Sequence, residues 1–324
     1  MIKTLALDLS KVTEKAAIAT FSEIGKGNKN LADEKAVSAM KQVLNQLPIS
    51  GEVIIGEGEI DEAPMLYIGE KVGHGGIKLD IAVDPIDGTR MVALGQDNAV
   101  AVMVFAQKDT LLQAPDMYME KMMVDKKGQG AIDLNLSLTD NILNLAKKLN
   151  KTTSDLTIMT LAKPRHEEQI KQMQQLGVKV IAIPDGDVEG SVLVAMPESG
   201  IDMFYGIGGA PEGVISAAII KSMGGDMQAK LLTRTMTKGA SIANNKLSSQ
   251  EEQRCLNMGI SINQKILLNE LCNTNDLVVS MTGITNGTLL KGVDVNESYA
   301  KTETLLIIGS SKDVKKIQTT TPIN

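Results

Sequence analysis

The stretch from Leu79 to Arg90, LDIAVDPIDGTR, constrains the fold of this chain more than any other. Its first residues are largely apolar and β-prone, which predicts a buried strand that ends at Val83. Two carboxylates three residues apart then follow, Asp84 and Asp87, on either side of a Pro-Ile pair. Pro85 fixes its own φ and favours an extended conformation at the preceding residue, so the chain must turn at this strand end.

The same turn contains groups that bind metal and phosphate. Gly88 permits a close approach of the backbone, and Thr89 can begin a helix whose N-terminus attracts an anion. Two hard oxygen ligands, a hydroxyl and a helix start at one point suit a divalent cation that holds a phosphate. The alternative interpretation is that Asp84 and Asp87 are turn and N-cap residues, which is the commoner use of aspartate. The complete hexapeptide DPIDGT at the end of a buried strand favours the metal.

Length, charge and cysteine content exclude several classes of protein. A chain of 324 residues can bury a large core and is expected to form two domains. The net charge of -6 leaves no basic excess for a nucleic-acid partner. No apolar run approaches membrane-spanning length, and the N-terminus lacks the apolar core of a signal peptide. With only two cysteines, and hence no disulfide framework, we expect a cytoplasmic protein without a nucleic-acid or membrane partner.

A second acidic cluster follows a short predicted strand over residues 52–55. This strand leads into a glycine-rich turn that contains Glu57, Glu59, Asp61 and Glu62. A turn requires the glycines but not the acids, and clustered carboxylates repel one another unless a cation or solvent offsets them. Taken alone, this cluster is equally well interpreted as a solvated acidic loop. The second pair of carboxylates at Asp84 and Asp87 favours the interpretation of Glu57 as a metal ligand.

The chain beyond residue 156 has the pattern of a parallel βαβ unit. Apolar segments 156–161 and 178–183 flank an amphipathic segment, 164–176, and a helix, a strand and a helix follow over 187–196, 201–205 and 211–223. Ligands of such sheets gather at the C-terminal ends of strands. Three candidate site segments lie at such ends: Lys163-Pro164-Arg165, Asp185-Gly186-Asp187 and Gly208-Gly209. Lys163 and Arg165 are predicted to bind phosphate, the alternative being a solvated helix start.

Other elements are predicted from weaker patterns. We expect a helix over residues 10–24, and a second that Asn30 caps and that runs to residue 47, with Asp33 in its first turn. From the sequence alone, the expected role of Asp33 is a favourable interaction between its negative charge and the helix dipole. A helix is expected over residues 64–72, a polar loop over 237–250, and a closing hairpin from segments 303–308 and 314–319.

DPIDGT resembles the metal-binding signature of the lithium-sensitive, metal-dependent sugar phosphatase superfamily, which includes inositol monophosphatases and fructose-1,6-bisphosphatases. Further segments resemble one branch, the class II (GlpX-type) fructose-1,6-bisphosphatases. These segments are residues 56–67 (GEGEIDEAPMLY), 114–121 (APDMYMEK), 162–166 (AKPRH), 183–187 (IPDGD) and 205–213 (YGIGGAPEG). Together they cover nearly the whole chain in order.

The resemblance implies an α/β protein with the layered α/β/α/β/α sugar-phosphatase fold. A metal-binding half, residues 1–157, would precede a parallel-sheet substrate-binding half, residues 158–324, and the C-terminal hairpin could pack back on the first half. The implied activity is hydrolysis of the 1-phosphate of fructose 1,6-bisphosphate in gluconeogenesis, with Mn²⁺ or Mg²⁺, by a homo-oligomer (a dimer or tetramer). Sedoheptulose 1,7-bisphosphate or an inositol phosphate are alternative substrates, and a non-catalytic sugar-phosphate sensor is the rival from another class.

The resemblance also assigns residues. It gives as metal ligands Asp33, Glu57, Asp84, Asp87 and Glu212, the last at a position where the superfamily often has Asp after Trp. It gives as substrate-binding residues Asp87, Gly88, Thr89, Tyr118, Lys163, Pro164, Arg165, Asp185, Gly186, Asp187 and Gly209. Catalysis would involve Thr89 with Asp33 and Glu57. Thr89 either orients an attacking water or attacks phosphorus itself, and we favour the water because an unactivated hydroxyl is a weak nucleophile.

Overall fold

The structure is a computed structural model that describes residues 2–56 and 66–323. Its α-helices are α1 (Ala6–Phe21), α2 (Lys29–Leu44), α3 (Thr89–Leu94), α4 (Leu138–Leu149), α5 (Glu167–Gln175), α6 (Asp187–Ala195), α7 (Ala210–Met223), α8 (Arg234–Lys238), α9 (Ile242–Met258) and α10 (Leu268–Leu271). Its strands are β1 (Ile49–Ile55), β2 (Lys71–Val72), β3 (Ile77–Asp87), β4 (Val100–Gln107), β5 (Tyr118–Val124), β6 (Thr157–Leu161), β7 (Lys179–Ile183), β8 (Met203–Gly209), β9 (Asp226–Leu232), β10 (Ile266–Leu267), β11 (Leu277–Gly283), β12 (Asp294–Val295), β13 (Tyr299–Ile308) and β14 (Asp313–Pro322).

The chain divides into two compact units, one of residues 1–111 with 274–324 and one of residues 112–273. The boundary that we expected near residue 157 lies inside the second unit. The reason is that β5 pairs with both β8 and β9, so it belongs to the same sheet as β6. The C-terminal hairpin of β13 and β14 lies in the first unit, where β13 also pairs with β11.

The first unit is built on a sheet with the strand order β12-β13-β11-β4-β3-β1-β2, and β14 pairs with β13. β1 and β3 are parallel, and the other neighbouring strands are antiparallel. Helices α1 and α2 share a hydrophobic core with this sheet. Leu9, Val12 and Ala16 of α1 are fully buried there, because their spacing of three and four residues places them on one face of the helix.

The second unit is built on a mixed sheet with the order β10-β9-β5-β8-β6-β7. The predicted βαβ unit is confirmed: β6 and β7 are parallel, and α5 connects them. β8 is also parallel to β6, whereas β5, β9 and β10 pair in antiparallel fashion. The sheet is therefore mixed, whereas we expected a parallel sheet. Both units combine a sheet with helices, which confirms the α/β fold class.

Three local predictions are wrong. Asn28, not Asn30, caps α2, since its Oδ1 accepts a hydrogen bond from the amide of Leu31 at 3.1 Å, and Asp33 consequently lies beyond the first turn. The helix predicted over 64–72 is not seen in residues 66–72, where β2 instead pairs with β1, and residues 64 and 65 lie outside the described part.

The loop predicted over 237–250 is also wrong, because α8 and α9 occupy most of it. The face that α9 buries includes Ser248, Glu251 and Cys255. A helix that buries polar side chains shows no hydrophobic periodicity in its sequence.

No helix among the residues described is long and apolar enough to cross a membrane.

Candidate active site

The DPIDGT segment lies at the end of β3, inside the sheet of the first unit. β3 does not end at Val83 as predicted but continues to Asp87, with an irregularity in its pairing to β4. Asp84 pairs with Val102 and Asp87 with Val100, so β3 has one residue more than β4 between these pairs. Such an extra residue is a β-bulge, a feature often found beside active sites. Proline has no N–H to donate to the ladder, and a bulge tolerates it because the extra residue there is unpaired.

The carboxylate of Asp84 stabilises this bulge. Its Oδ1 accepts a hydrogen bond from the backbone amide of Ile86 at 3.1 Å, and the side chain is largely buried. This is the turn-stabilising use of aspartate that the alternative interpretation predicted. The bond to Ile86 uses only one of the roughly four acceptor positions of an ionised carboxylate.

Gly88 and Thr89 begin α3, as predicted. Gly88 has a φ of 96°, which glycine adopts readily, and a Cβ at this position would lie 2.9 Å from the sulfur of Met91. The carbonyl oxygen of Gly88 accepts the amide of Met91 at 2.7 Å, which closes the first turn of the helix. Thr89 is therefore placed at the helix start, directly after Gly88.

Asp33 of α2 and Thr89 of α3 act on each other. Burial raises the pKa of Asp33 from 3.8 to about 6, while the Thr89 hydroxyl and then the Lys29 ammonium lower it. The Thr89 hydroxyl has one hydrogen and two acceptors nearby, the Ile86 carbonyl oxygen at 3.1 Å and the Asp33 carboxylate. Oδ1 of Asp33 is buried and accepts no hydrogen bond from the described residues. This carboxylate is thus poised to take up a proton or a cation.

The first unit therefore offers oxygen ligands of the kind that Mg²⁺ and Mn²⁺ prefer. The buried oxygen of Asp33, which lacks a donor among the described residues, fits a cation in particular. The residues described do not bring three or more His, Cys, Asp or Glu side chains into one metal-binding group. The expected ligand Glu57 lies outside the described residues, as do Glu59, Asp61 and Glu62.

In the second unit, a buried lysine joins two of the predicted site residues. Lys121 of β5 is fully buried, and its Nζ lies 2.6 Å from Oδ2 of Asp187 and donates to the carbonyl oxygen of Gly209 at 3.1 Å. Burial, and then the charge of Asp187, hold the pKa of Glu212 well above its usual range, while Lys121 lowers it. Sequence reasoning missed Lys121. The sequence did contain a signal for it, because Lys121 lies between Met119 and Met123 on one buried face of β5, where a charged side chain requires a partner.

Two glycines at the end of β8 allow these carboxylates to approach the backbone. A Cβ at Gly208 would lie 2.3 Å from Oδ2 of Asp187, and one at Gly209 would lie 1.9 Å from Oε2 of Glu212. Both distances are far below a normal contact, so any side chain here would displace a carboxylate. The predicted site residue Gly209 thus has a steric reason to be glycine.

The basic cluster lies in the same unit. Arg165 donates from Nε to the carbonyl oxygen of Ile207 at 2.8 Å, and its guanidinium carbon lies 5.3 Å from the centre of the Tyr118 ring. Lys163 forms an ion pair with Asp185, directly before Gly186, which precedes α6 with a φ of 88°. Lys238, which sequence reasoning missed because it falls in the predicted loop, lies 5.5 Å from the same tyrosine ring.

His166, next to Arg165, is a structural residue. It is fully buried, its Nε2 accepts the amide of Ile207 at 2.8 Å, and burial lowers its pKa to about 4. It is therefore neutral at pH 7 and holds Ile207 of β8 next to the segment that contains Arg165.

The predicted site residues thus form two sets, each within one unit. The first unit contains Asp33, Asp84, Asp87, Gly88 and Thr89. The second unit contains Tyr118, Lys163, Pro164, Arg165, Asp185, Gly186, Asp187, Gly209 and Glu212.

Comparison with known proteins gives matches along the whole chain. Residues 3–321 match the family described as "Bacterial fructose-1,6-bisphosphatase, glpX-encoded". The chain is 53% identical over 319 residues to fructose-1,6-bisphosphatase class 2 of Haemophilus influenzae, covering 98% of this chain and 96% of that protein. It is also 53% identical to fructose-1,6-bisphosphatase 1 class 2 of Escherichia coli, with 98% and 95% covered. A Microcystis aeruginosa protein named D-fructose 1,6-bisphosphatase class 2/sedoheptulose 1,7-bisphosphatase is 38% identical, with 98% and 96% covered.

Proposed function

Since the chain belongs to the bacterial glpX-encoded fructose-1,6-bisphosphatase family, we propose that it hydrolyses the 1-phosphate of fructose 1,6-bisphosphate. The products are fructose 6-phosphate and inorganic phosphate, as a step of gluconeogenesis. The observation that carries the proposal is the 53% identity to class 2 enzymes over nearly the full length of both chains. The carboxylates of the first unit and the basic cluster of the second support it, because a phosphatase needs both kinds of group.

The proposed cofactor is a divalent cation, Mn²⁺ or Mg²⁺. Asp33, Glu57, Asp84 and Asp87 would hold it, and Glu212 is assigned as a further ligand on the resemblance alone. The buried oxygen of Asp33 without a donor among the described residues supports this assignment. When bound, such a cation offsets phosphate charge and lowers the pKa of a bound water.

Thr89 and Asp33 are the proposed catalytic residues of the described part, with Glu57 as the third. The Thr89 hydroxyl can hold an attacking water by accepting its hydrogen bond while it donates to the Ile86 carbonyl oxygen. Asp33, whose carboxylate interacts with the Thr89 hydroxyl, can accept a proton from that water or from Thr89 itself. We favour attack by water over attack by Thr89.

The proposed substrate-binding residues divide by chemistry. Arg165 and Lys163 can neutralise phosphate charge, and Tyr118, whose ring lies near Arg165, offers a hydroxyl. Asp87, Asp185 and Asp187 can accept hydrogen bonds from sugar hydroxyls. Backbone groups are offered by Gly88, Thr89, Pro164, Gly186 and Gly209.

A second candidate substrate is sedoheptulose 1,7-bisphosphate. It is favoured by the relatives at 37–38% identity whose names include both activities. Both substrates are sugar bisphosphates that lose the phosphate at carbon 1, so one site could serve both.

A substrate panel tests the proposal. Phosphate release would be measured from fructose 1,6-bisphosphate, sedoheptulose 1,7-bisphosphate and inositol 1-phosphate, with Mn²⁺, with Mg²⁺ and with chelator. We expect the highest kcat/KM for fructose 1,6-bisphosphate and no activity with chelator. Preference for inositol 1-phosphate would contradict the assignment, and sugar bisphosphate binding without any turnover would identify a sensor.

We also propose that the protein is a homo-oligomer of the cytoplasm, which rests on the resemblance alone. Light scattering after size-exclusion chromatography measures the mass of the particle. A multiple of 34.6 kDa is expected, and a mass equal to that of one chain would contradict the proposal.

A further inference from the structure

Two cations share one aromatic ring in the second unit. The guanidinium carbon of Arg165 lies 5.3 Å, and the ammonium of Lys238 5.5 Å, from the centre of the Tyr118 ring. Each cation lies within the range of a cation–π contact, which is about 6 Å. Such a contact is worth only about 0.5–1 kcal/mol at an exposed site, so it does not explain why two cations converge here.

Neither cation has an acidic partner among the described residues. Arg165 uses its Nε for the Ile207 carbonyl oxygen, which leaves its terminal nitrogens for another acceptor. Lys163, in contrast, forms an ion pair with Asp185. Two like charges repel each other unless an anion lies between them or solvent screens them. Arg165 and Lys238 are therefore better placed than Lys163 to bind an anion.

The position of Lys238 is fixed by buried side chains of α9. Glu251 accepts the amide of Arg234 at 2.7 Å, and Ser248 accepts the amide of Thr235 at 2.8 Å. Both α9 side chains are largely buried. Since α8 is only five residues long, these bonds at its first turn also place its last residue. Lys238 is thus brought to the Tyr118 ring by the fold, although its own side chain is exposed.

We propose that Lys238 is a phosphate-binding residue of the substrate site. Together with Arg165 and the hydroxyl of Tyr118, it would bind the phosphate of the sugar bisphosphate that is not cleaved. Arginine offers paired donors in a plane, lysine a point charge and tyrosine a single donor, and a phosphate dianion has acceptors for all three. The identity of this ligand rests on the function proposed above, whereas the convergence of the two cations does not.

Titration with fructose 6-phosphate, which retains only the uncleaved phosphate, tests the proposal without turnover. Calorimetry would give Kd for the wild type, for Lys238→Ala and for Lys238→Arg. Lys246→Ala is the matched control, because Lys246 is an exposed lysine of the neighbouring helix α9. We expect Kd to rise about tenfold or more in Lys238→Ala, the scale of one hydrogen bond to a charged group, and to recover largely in Lys238→Arg. Lys246→Ala should match the wild type, and all variants should keep the wild-type Tm.

An unchanged Kd in Lys238→Ala, or an equal loss in Lys246→Ala, would overturn the proposal. Wild-type protein that does not bind fructose 6-phosphate would also overturn it. The proposed function fails separately, if the wild type releases no phosphate from fructose 1,6-bisphosphate while the titration still shows the Lys238 effect. If hydrolysis occurs and the titration is unaltered, only the assignment of Lys238 fails.

Discussion

The ammonium of Lys121 lies 2.6 Å from the carboxylate of Asp187, and both side chains are buried. Each charge would be costly to bury alone, and removing one partner leaves the other uncompensated. Glu212 lies close enough for its pKa to respond to both charges. The positive charge of Lys121 therefore offsets the negative charge of two proposed site residues, Asp187 and Glu212.

Lys121→Met should destabilise the protein by about 3–5 kcal/mol, the usual cost of breaking a buried ion pair from one side. Urea unfolding at pH 7.5 measures the change. The control is Lys11→Met, which breaks an exposed pair with Asp8 of similar length, 2.7 Å, and should cost less than about 1 kcal/mol. Equal effects of the two substitutions would show that the Lys121 pair is not effectively buried.

Asp33→Asn should stabilise the metal-free protein at neutral pH. The folded-state pKa of about 6 lies above the ordinary value of 3.8, so the folded protein holds this proton more tightly. The free energy of unfolding of the wild type then falls, relative to Asp33→Asn, as pH rises from about 4 to 6, and the difference is constant above and absent below. The gain is at most about 3 kcal/mol, because a tenfold change in proton affinity corresponds to about 1.4 kcal/mol.

Unfolding of chelated protein at pH 3.5 to 8 measures this profile, with Glu34→Gln, an exposed neighbour on α2, as the control. A constant difference across the whole range would contradict the account of Asp33.

Asp84→Asn and Asp84→Ala separate the two uses of this carboxylate. Asparagine keeps an acceptor for the Ile86 amide, so its stability should stay within about 1 kcal/mol of the wild type, whereas alanine should cost about 1–3 kcal/mol more for the unpaired amide. If the carboxylate also binds metal, both variants should lose metal-dependent phosphate release by at least about 10²-fold, because neither has the negative ligand. Full activity in Asp84→Asn would leave Asp84 with its turn function alone.

Thr89→Val should lower kcat by at least about 10²-fold, since the hydroxyl that holds the water or attacks phosphorus is lost. Thr89→Ser should retain much of the activity, with some loss because serine lacks the methyl group that restricts its rotamer. The two mechanisms differ in stereochemistry. Hydrolysis of a chirally labelled phosphate should proceed with net inversion if water attacks, and retention would show a phosphorylated Thr89 intermediate.

The sequence predicted best what short-range interactions decide. Gly88 and Thr89 place a helix start within two residues, and the structure has it, whereas the turn predicted at Pro85 is an irregular part of β3 instead. The end of β3 was wrong because a bulge keeps Asp84 and Asp87 in the ladder, which depends on pairing with β4. The domain boundary was misplaced for the same reason, since the partners of β5 lie far along the chain.

The residues that sequence reasoning missed depend on distant partners. Lys121 is explained only by Asp187 and Gly209, which come from α6 and β8. Lys238 was missed because α9 holds α8 through polar side chains, Ser248 and Glu251, so neither helix has an apolar pattern. The expected ligand Glu57 lies outside the described residues and stays a prediction.

The central claim is that this chain removes the 1-phosphate of fructose 1,6-bisphosphate with the help of a divalent cation. Following the reaction by ³¹P NMR tests it most directly, because the signal identifies both the phosphate released and the phosphate retained. With Mn²⁺ or Mg²⁺ we expect equal amounts of inorganic phosphate and fructose 6-phosphate, and with chelator no reaction. Formation of fructose 1-phosphate, or unaltered hydrolysis in chelator, would contradict the account.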